Sequence, residues 1–294
     1  MKNGVFLLLL LTTELFSQKM LFKGRLLDAT TNAPIVYANI SFLETTKGIS
    51  STEDGSFRMY VDKKHTNGKI HISCLNYKDT IVSAIDLNGK TFFMQPKRYV
   101  LEEAAVTKRV ARIFLQDKVK NKVHAVHTNG MRMLAKYFPN DKKNRQCNAL
   151  SKVTIYFSKR HNKKAKFRIR IFSKDETTGL PNEDLLPVNL PLVISQQQDQ
   201  VSLDIASYGI EMPKNGVFIA FEKLFIPFNA YGSKELLANK NMLYAPIIGF
   251  VKYRYKELKE RTYYYAKGRW KKSEFNKVTA FRKYAPAISL TLTN

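Results

Sequence analysis

The stretch Gly48-Ile49-Ser50-Ser51-Thr52-Glu53-Asp54-Gly55-Ser56-Phe57-Arg58-Met59-Tyr60-Val61 constrains the fold more than any other. Asp54-Gly55 marks a tight turn, because glycine enters the positive-φ region without steric cost. Beyond the turn, Phe57, Met59 and Val61 alternate with Arg58 and Tyr60, the period of a half-buried strand. Together they predict a β-hairpin, around which the residues from Phe22 to Thr107 assemble as a small β-sandwich.

The same pattern repeats on either side. Phe22–Leu26 leads into a polar turn closed by Pro34, and Val36, Ala38, Ile40 and Phe42 alternate with Tyr37, Asn39 and Ser41. Lys69–Leu75, Thr80–Ile85 and Thr91–Met94 follow, with turn residues between them and no helical periodicity. Further on, Val153, Ile155 and Phe157 share a face, and so do Val201, Leu203 and Ile205. Phe167, Ile169 and Ile171 alternate with Arg168 and Arg170, which predicts a strand with a solvated basic face. Val217–Phe221 and Ala287–Leu292 are further strands. Tyr263–Tyr265, the Lys267-Gly268-Arg269 turn and Trp270 read as a late hairpin. The fold class expected is all-β. Two β-sandwiches are expected, the first with about seven strands and the second jelly-roll-like.

The charge divides the chain. Its 294 residues carry a formal net charge of +25. Residues 19–107 hold twelve Lys and Arg against nine Asp and Glu, a net +3, whereas residues 108–294 hold 36 against 14, a net +22. The shift places a boundary near Thr107. Residues 18–107 are read as the first sandwich, 108–126 as a basic connector with a short helix around Ala111–Lys120, and 127–294 as the second sandwich. Such a basic half fits anionic partners: acidic glycans, lipopolysaccharide phosphates, membrane surfaces or DNA.

The N-terminus reads as an address. Lys2, the apolar run Val5–Leu11 and small Ser17 before Gln18 match a secretory signal peptide over residues 1–17. The run is too short to span a bilayer. The chain is expected to be exported, to the periplasm, the outer membrane or beyond, with no transmembrane segment after cleavage. Only Cys74 and Cys147 are available for a disulfide. Cys74 falls on the apolar face of its strand, which fits a buried thiol, and a bridge to Cys147 stays open.

Phe22-Lys-Gly-Arg-Leu-Leu-Asp-Ala-Thr-Thr-Asn-Ala-Pro-Ile-Val-Tyr-Ala-Asn-Ile-Ser-Phe42 and Thr52-Glu-Asp-Gly-Ser-Phe57 resemble the carboxypeptidase regulatory-like domain. Ile70-His-Ile-Ser-Cys-Leu-Asn-Tyr-Lys78 and Leu101-Glu-Glu-Ala-Ala-Val-Thr107 extend the resemblance. It implies a transthyretin-like sandwich of the kind found in exported Bacteroidetes proteins, including the front of TonB-dependent receptors. Asn76 stands where that family has glycine, a position where Asn tolerates left-handed angles. The residues that follow are too few for a plug and barrel. The segment Phe167–Glu222 resembles jelly-roll domains paired with this module.

Recognisable catalytic motifs are sparse. None of the five histidines has Glu three residues later, as the zinc carboxypeptidase site requires. His124 and His127 are spaced for a shared helical face but lack an acidic or thiolate partner nearby. Gly89-Lys90-Thr91 lacks the leading glycine of a phosphate loop, and no nucleophile-elbow motif occurs. Asp175, Glu176, Glu183 and Asp184 flank a Gly-Pro loop and form a weak calcium candidate against ordinary loop charge. Tyr264 and Trp270 with Lys267, Arg269, Lys271 and Lys272 are the ligand-binding candidates, rings for stacking on sugars and cations for acidic substituents. The competing reading places those rings in a core.

The expectation is an exported, non-enzymatic binding or assembly module of the cell envelope, needing no cofactor and no metal. Its partner would be an anionic glycan, lipopolysaccharide or an outer-membrane protein, with no specific nucleic acid. The alternatives are an envelope hydrolase acting on glycan or peptide, and an accessory protein docking on an outer-membrane transporter.

Overall fold

A computed structural model describes residues 19–97, 112–119, 124–125, 132–141, 146–158, 163–232, 243–252, 261–273 and 284–294. The expected signal peptide lies outside the described residues, as do His127 and part of the expected connector. The fold is nearly all β.

The first sandwich comprises β1 (Lys19–Asp28), β2 (Asn39–Phe42), β3 (Gly48–Ser50), β4 (Ser56–Asp62), β5 (Lys69–Ser73), β6 (Thr80–Ser83), the one-turn helix α1 (Ala84–Leu87) and β7 (Thr91–Met94). One sheet runs β4-β1-β7, with β1 and β7 parallel; the other runs β3-β2-β5-β6. Between them Phe22, Leu26, Ile40, Phe42, Phe57 and Ile72 are buried, and Phe22 meets Phe42 edge-on at 5.2 Å. Each such side chain contributes about 1.5–3 kcal/mol by leaving water.

The turn at Gly55 forms as expected, at φ 79°, and a Cβ there would meet the Leu26 carbonyl at 2.4 Å. Its arms, however, do not pair with each other. β3 pairs with β2 and β4 with β1, so the chain crosses here from one sheet to the other. The expected hairpin is an arch, and alternation cannot separate the two because either geometry turns Phe57 and Val61 into the same core. Val36 and Tyr37 also leave the expected strand. Tyr37 is left-handed at φ 57°, while Asn76 adopts φ 71° as its residue type allows.

The second sandwich comprises β8 (Ile113–Gln116), β9 (His124–Ala125), β10 (Met133–Phe138), β11 (Ala149–Tyr156), β12 (Ala165–Lys174), β13 (Pro181–Asp184), β14 (Pro191–Ile194) and β15 (Gln200–Asp204). It continues with β16 (Val217–Lys223), β17 (Ala230–Tyr231), β18 (Leu243–Tyr244), β19 (Gly249–Lys252), β20 (Thr262–Ala266), β21 (Arg269–Lys272), β22 (Tyr284–Pro286) and β23 (Ile288–Thr293). One large sheet runs β13-β12-β16-β10-β20-β21, with β14 also on β12; the facing sheet runs β15-β11-β23-β8. Phe157, Phe167 and Phe221 pack ring to ring between them at 5.0–5.9 Å. β8 occupies the place of the expected connector helix. Its backbone pairs with β23, and that pairing overrides the weak local helical pattern.

The two sandwiches join through their sheets. Asn39, Ser41 and His71, on the face of β2 and β5 turned away from the first core, are all buried. They face the outer side of the large second sheet, where Tyr265 hydrogen-bonds His71 at 3.0 Å. Four sheets therefore stack, and two apolar cores flank a middle layer in which these polar groups lie beside a smaller apolar cluster that includes Phe172, Phe218 and Tyr265.

Candidate functional site

The polar middle layer holds the densest chemistry among the described residues. Arg168 and Glu222 lie directly opposite each other on β12 and β16. Both are buried, at 1% and 2% exposure. Arg168 donates from Nε and Nη2 to the two Glu222 oxygens at 3.0 and 2.9 Å, a bidentate pair. Its remaining donors reach the Tyr37 carbonyl at 2.7 Å and Asn189 Oδ1 at 2.8 Å. Arg170 donates to Asp184 and, at 3.5 Å, to Glu222. Burial alone would raise the Glu222 carboxyl, but Arg168 and Arg170 outweigh it and hold the carboxyl below its usual range. The solvated face expected for Arg168 and Arg170 is thus a buried joint. Its polar alternation arises because the first sandwich supplies carbonyls to cover it.

Arg132 ties the joint from the other side. It donates to the carbonyls of Ile40 at 2.9 Å and Ile49 at 3.3 Å, and lies over the Phe225 ring. Burial pulls its guanidinium down to about 10, which leaves it charged at neutral pH. A Cβ at Gly48 would sit 1.5 Å from the Arg132 Nη2, so this crossing requires glycine. Lys166 donates to Glu53 and to the Tyr37 hydroxyl, and that hydroxyl donates to Glu53 at 2.7 Å. Asn76 Nδ2 donates to the Pro187 carbonyl at 3.0 Å. Cys74 sits beside Asn189, and burial pushes its thiol up. Both cysteines are buried free thiols, so the open disulfide is not formed.

Inside the second sandwich, fully buried Lys136 donates to the Ile288 carbonyl at 2.8 Å and meets Asp117 at 3.2 Å. Asp117 in turn accepts from Arg261 Nη1 at both carboxylate oxygens, 3.0 and 2.9 Å. Burial pulls the Lys136 amine down to about 8.

The ligand candidates do not form one platform. Tyr264 packs against the second core, while Trp270 lies on the other face, edge-on to Phe172 and Tyr265 at 5.4 Å each. The register separates them, since Trp270 lies opposite Tyr265 and Lys271 opposite Tyr264. Lys267, Arg269 and Lys272 are exposed and Lys271 is half-buried. The hairpin tip touches the first sandwich: a Cβ at Gly268 would meet Leu43 at 2.3 Å.

The four acids of the calcium candidate diverge. Asp175 accepts from the Thr178 amide and hydroxyl at 2.7 Å, which lowers its carboxyl. Glu176 accepts from Asn215, Glu183 is exposed, and Asp184 turns inward to Arg170. The described residues contain no group of three or more His, Cys, Asp and Glu able to hold a metal ion. No described helix is long and apolar enough to cross a membrane.

Sequence reasoning passed over Glu222, although a signal was present. A carboxylate near the end of Val217–Lys223, a run buried throughout, requires a buried cation to face it.

No known family profile matches the chain, and no curated protein does. Among solved structures, it is similar to the clostridial cysteine protease Cwp84 after propeptide cleavage, at 11% identity and a TM-score of 0.38. It also aligns with the cysteine protease and lectin-like domains of Cwp84, a surface layer associated protein of Clostridium difficile, at 11% identity and a TM-score of 0.34. These alignments cover 88% of this chain but only 66% and 58% of those two structures. A DUF3823 family protein from Parabacteroides merdae aligns over 71% of this chain and 99% of its own, at 11% identity and a TM-score of 0.20. The expectation that the chain is not an enzyme is withdrawn, since the first two of these neighbours carry a cysteine protease.

Proposed function

We propose that the chain is an exported two-sandwich module that binds an anionic component of the cell envelope through the basic surface of its second sandwich. The observation that carries this reading is where the acids go. Glu222, Asp184 and Asp117 are taken up by Arg168, Arg170, Lys136 and Arg261. Lys267, Arg269 and Lys271, by contrast, make no ion pair with any described residue. Among the described residues, these hairpin cations stand without acidic partners in the half of the chain that carries the net +22. The signal-peptide pattern and the resemblance to the carboxypeptidase regulatory-like domain support an envelope location. The first sandwich then acts as a rigid adaptor, fixed by the Arg168 and Arg132 contacts.

The test is salt-dependent retention of the mature protein on lipopolysaccharide, an acidic glycan and a neutral glycan. Retention at low salt on the anionic supports, weakened by K267E/R269E/K271E, is the expected result. Failure of every polyanion to retain the protein at low salt removes the proposal.

A further inference from the structure

The outer face of β4-β1-β7 points away from the second sandwich and carries its own pattern. Lys23 on β1 lies directly opposite Arg58 on β4, and Arg25 follows two residues along, beside Thr91 of β7. All three cations are exposed, and none forms an ion pair with a described residue. Like charges placed directly across a strand pair oppose the sheet they sit on. Arg25 is held flat, its Nε donating to the Asp54 carbonyl at 3.0 Å. The acids nearby are peripheral. Asp54 sits in the turn with its carboxylate accepting from Thr52 and Ser56, and Asp62 lies opposite Lys19 at the far end.

An exposed ring stands at each end of this cationic strip. Tyr60, 47% exposed, lies opposite Leu21; Phe93, also 47% exposed, lies opposite Leu27. Six residues of β1 separate those positions, about 20 Å at strand rise. No single small ligand spans both rings. An extended polymer does, with flat apolar faces for the rings and repeated negative charge for Lys23, Arg58 and Arg25. Guanidinium groups meet carboxylates, as they do phosphates, with two parallel hydrogen bonds, and of these it is the carboxylate-bearing sugar polymer that also offers flat apolar ring faces to Tyr60 and Phe93. The wide ring separation does not suit nucleobases, which stack on aromatic side chains in succession.

We propose that this face is a second binding surface, and that it takes a linear carboxylate-bearing polysaccharide lying from Tyr60 across Lys23, Arg58 and Arg25 to Phe93. It is separate from the β20–β21 surface, so each can fail without the other. The test measures affinity of the mature protein for polygalacturonate, dextran, a single-stranded DNA oligomer and phosphatidylglycerol vesicles. K23Q/R58Q, Y60A, F93A and K267E/R269E/K271E are compared with the parent, with thermal melting confirming the fold. Polygalacturonate is expected to bind best, with affinity falling at least tenfold in K23Q/R58Q and measurably in Y60A and F93A. R58Q alone is expected to keep or raise the melting temperature, because it removes the like-charge contact. Polygalacturonate binding that K23Q/R58Q leaves unchanged overturns the proposal, even if the hairpin variant abolishes retention. Tighter binding of DNA or vesicles through Lys23 and Arg58 also overturns it, by assigning the face to another partner.

Discussion

Glu222→Gln removes one negative charge from the middle layer without changing side-chain shape. The wild-type carboxylate accepts two bonds from Arg168 at 2.9 and 3.0 Å and one from Arg170 at 3.5 Å, with Arg168 and Glu222 at most 2% exposed. Arg170 keeps Asp184, and Arg168 keeps the Tyr37 carbonyl and Asn189, but Arg168 loses its counter-charge. Breaking one side of a buried pair costs about 3–5 kcal/mol, because the remaining charge stays desolvated. Replacing both partners by apolar residues removes that stranded charge. Arg168→Met with Glu222→Met is therefore expected to cost less than the sum of the two single changes. Urea denaturation of the four proteins, read as a double-mutant cycle, measures the coupling. Single variants losing less than about 1 kcal/mol, or a strictly additive double variant, would refute the reasoning.

Three further outcomes are expected. Gly48→Ala places a methyl 1.5 Å from Arg132 and 2.5 Å from the Ile40 carbonyl and is expected to destabilise by about 1–3 kcal/mol, more than Gly68→Ala, whose Cβ meets its nearest atom at 3.1 Å; matched denaturation curves check this. The Lys136 amine has its folded pKa depressed to about 8 from 10.5, so the unfolded chain binds the extra proton between those values. The stability of Lys136→Met relative to the parent is therefore expected to fall as pH rises from 8 towards 10, and a difference independent of pH would contradict the assignment. A thiol reagent is expected to leave native Cys74 and Cys147 largely unreacted and to titrate both in denaturant; a reagent-silent denatured protein would show a disulfide instead.

Much of the strand content was legible because alternation reports a buried face whatever its partner. Phe57, Ile155, Phe167 and Ile219 all lie inside as their spacing indicates. Pairing was not legible: the arms around Gly55 belong to different sheets, a choice settled by β1, far away in sequence. The opposite face was misread for a related reason. Arg168, Arg170, Asn39 and Ser41 show the polar half of an amphipathic strand, and that half looks the same whether water or another polar sheet covers it. Of the ligand candidates, the exposure of Lys267, Arg269 and Lys272 could be anticipated from their turn. The separation of Tyr264 from Trp270 required the register of β20 against β21.

The Tyr37 carbonyl and the Ile40 and Ile49 carbonyls have a mechanical consequence where they meet Arg168 and Arg132. Prising the sandwiches apart strands those donors and carbonyls, and it also uncovers Phe225 and Tyr244, which the second half packs against the first apolar core. Under heat or tension the two halves should therefore yield together rather than part first along the join.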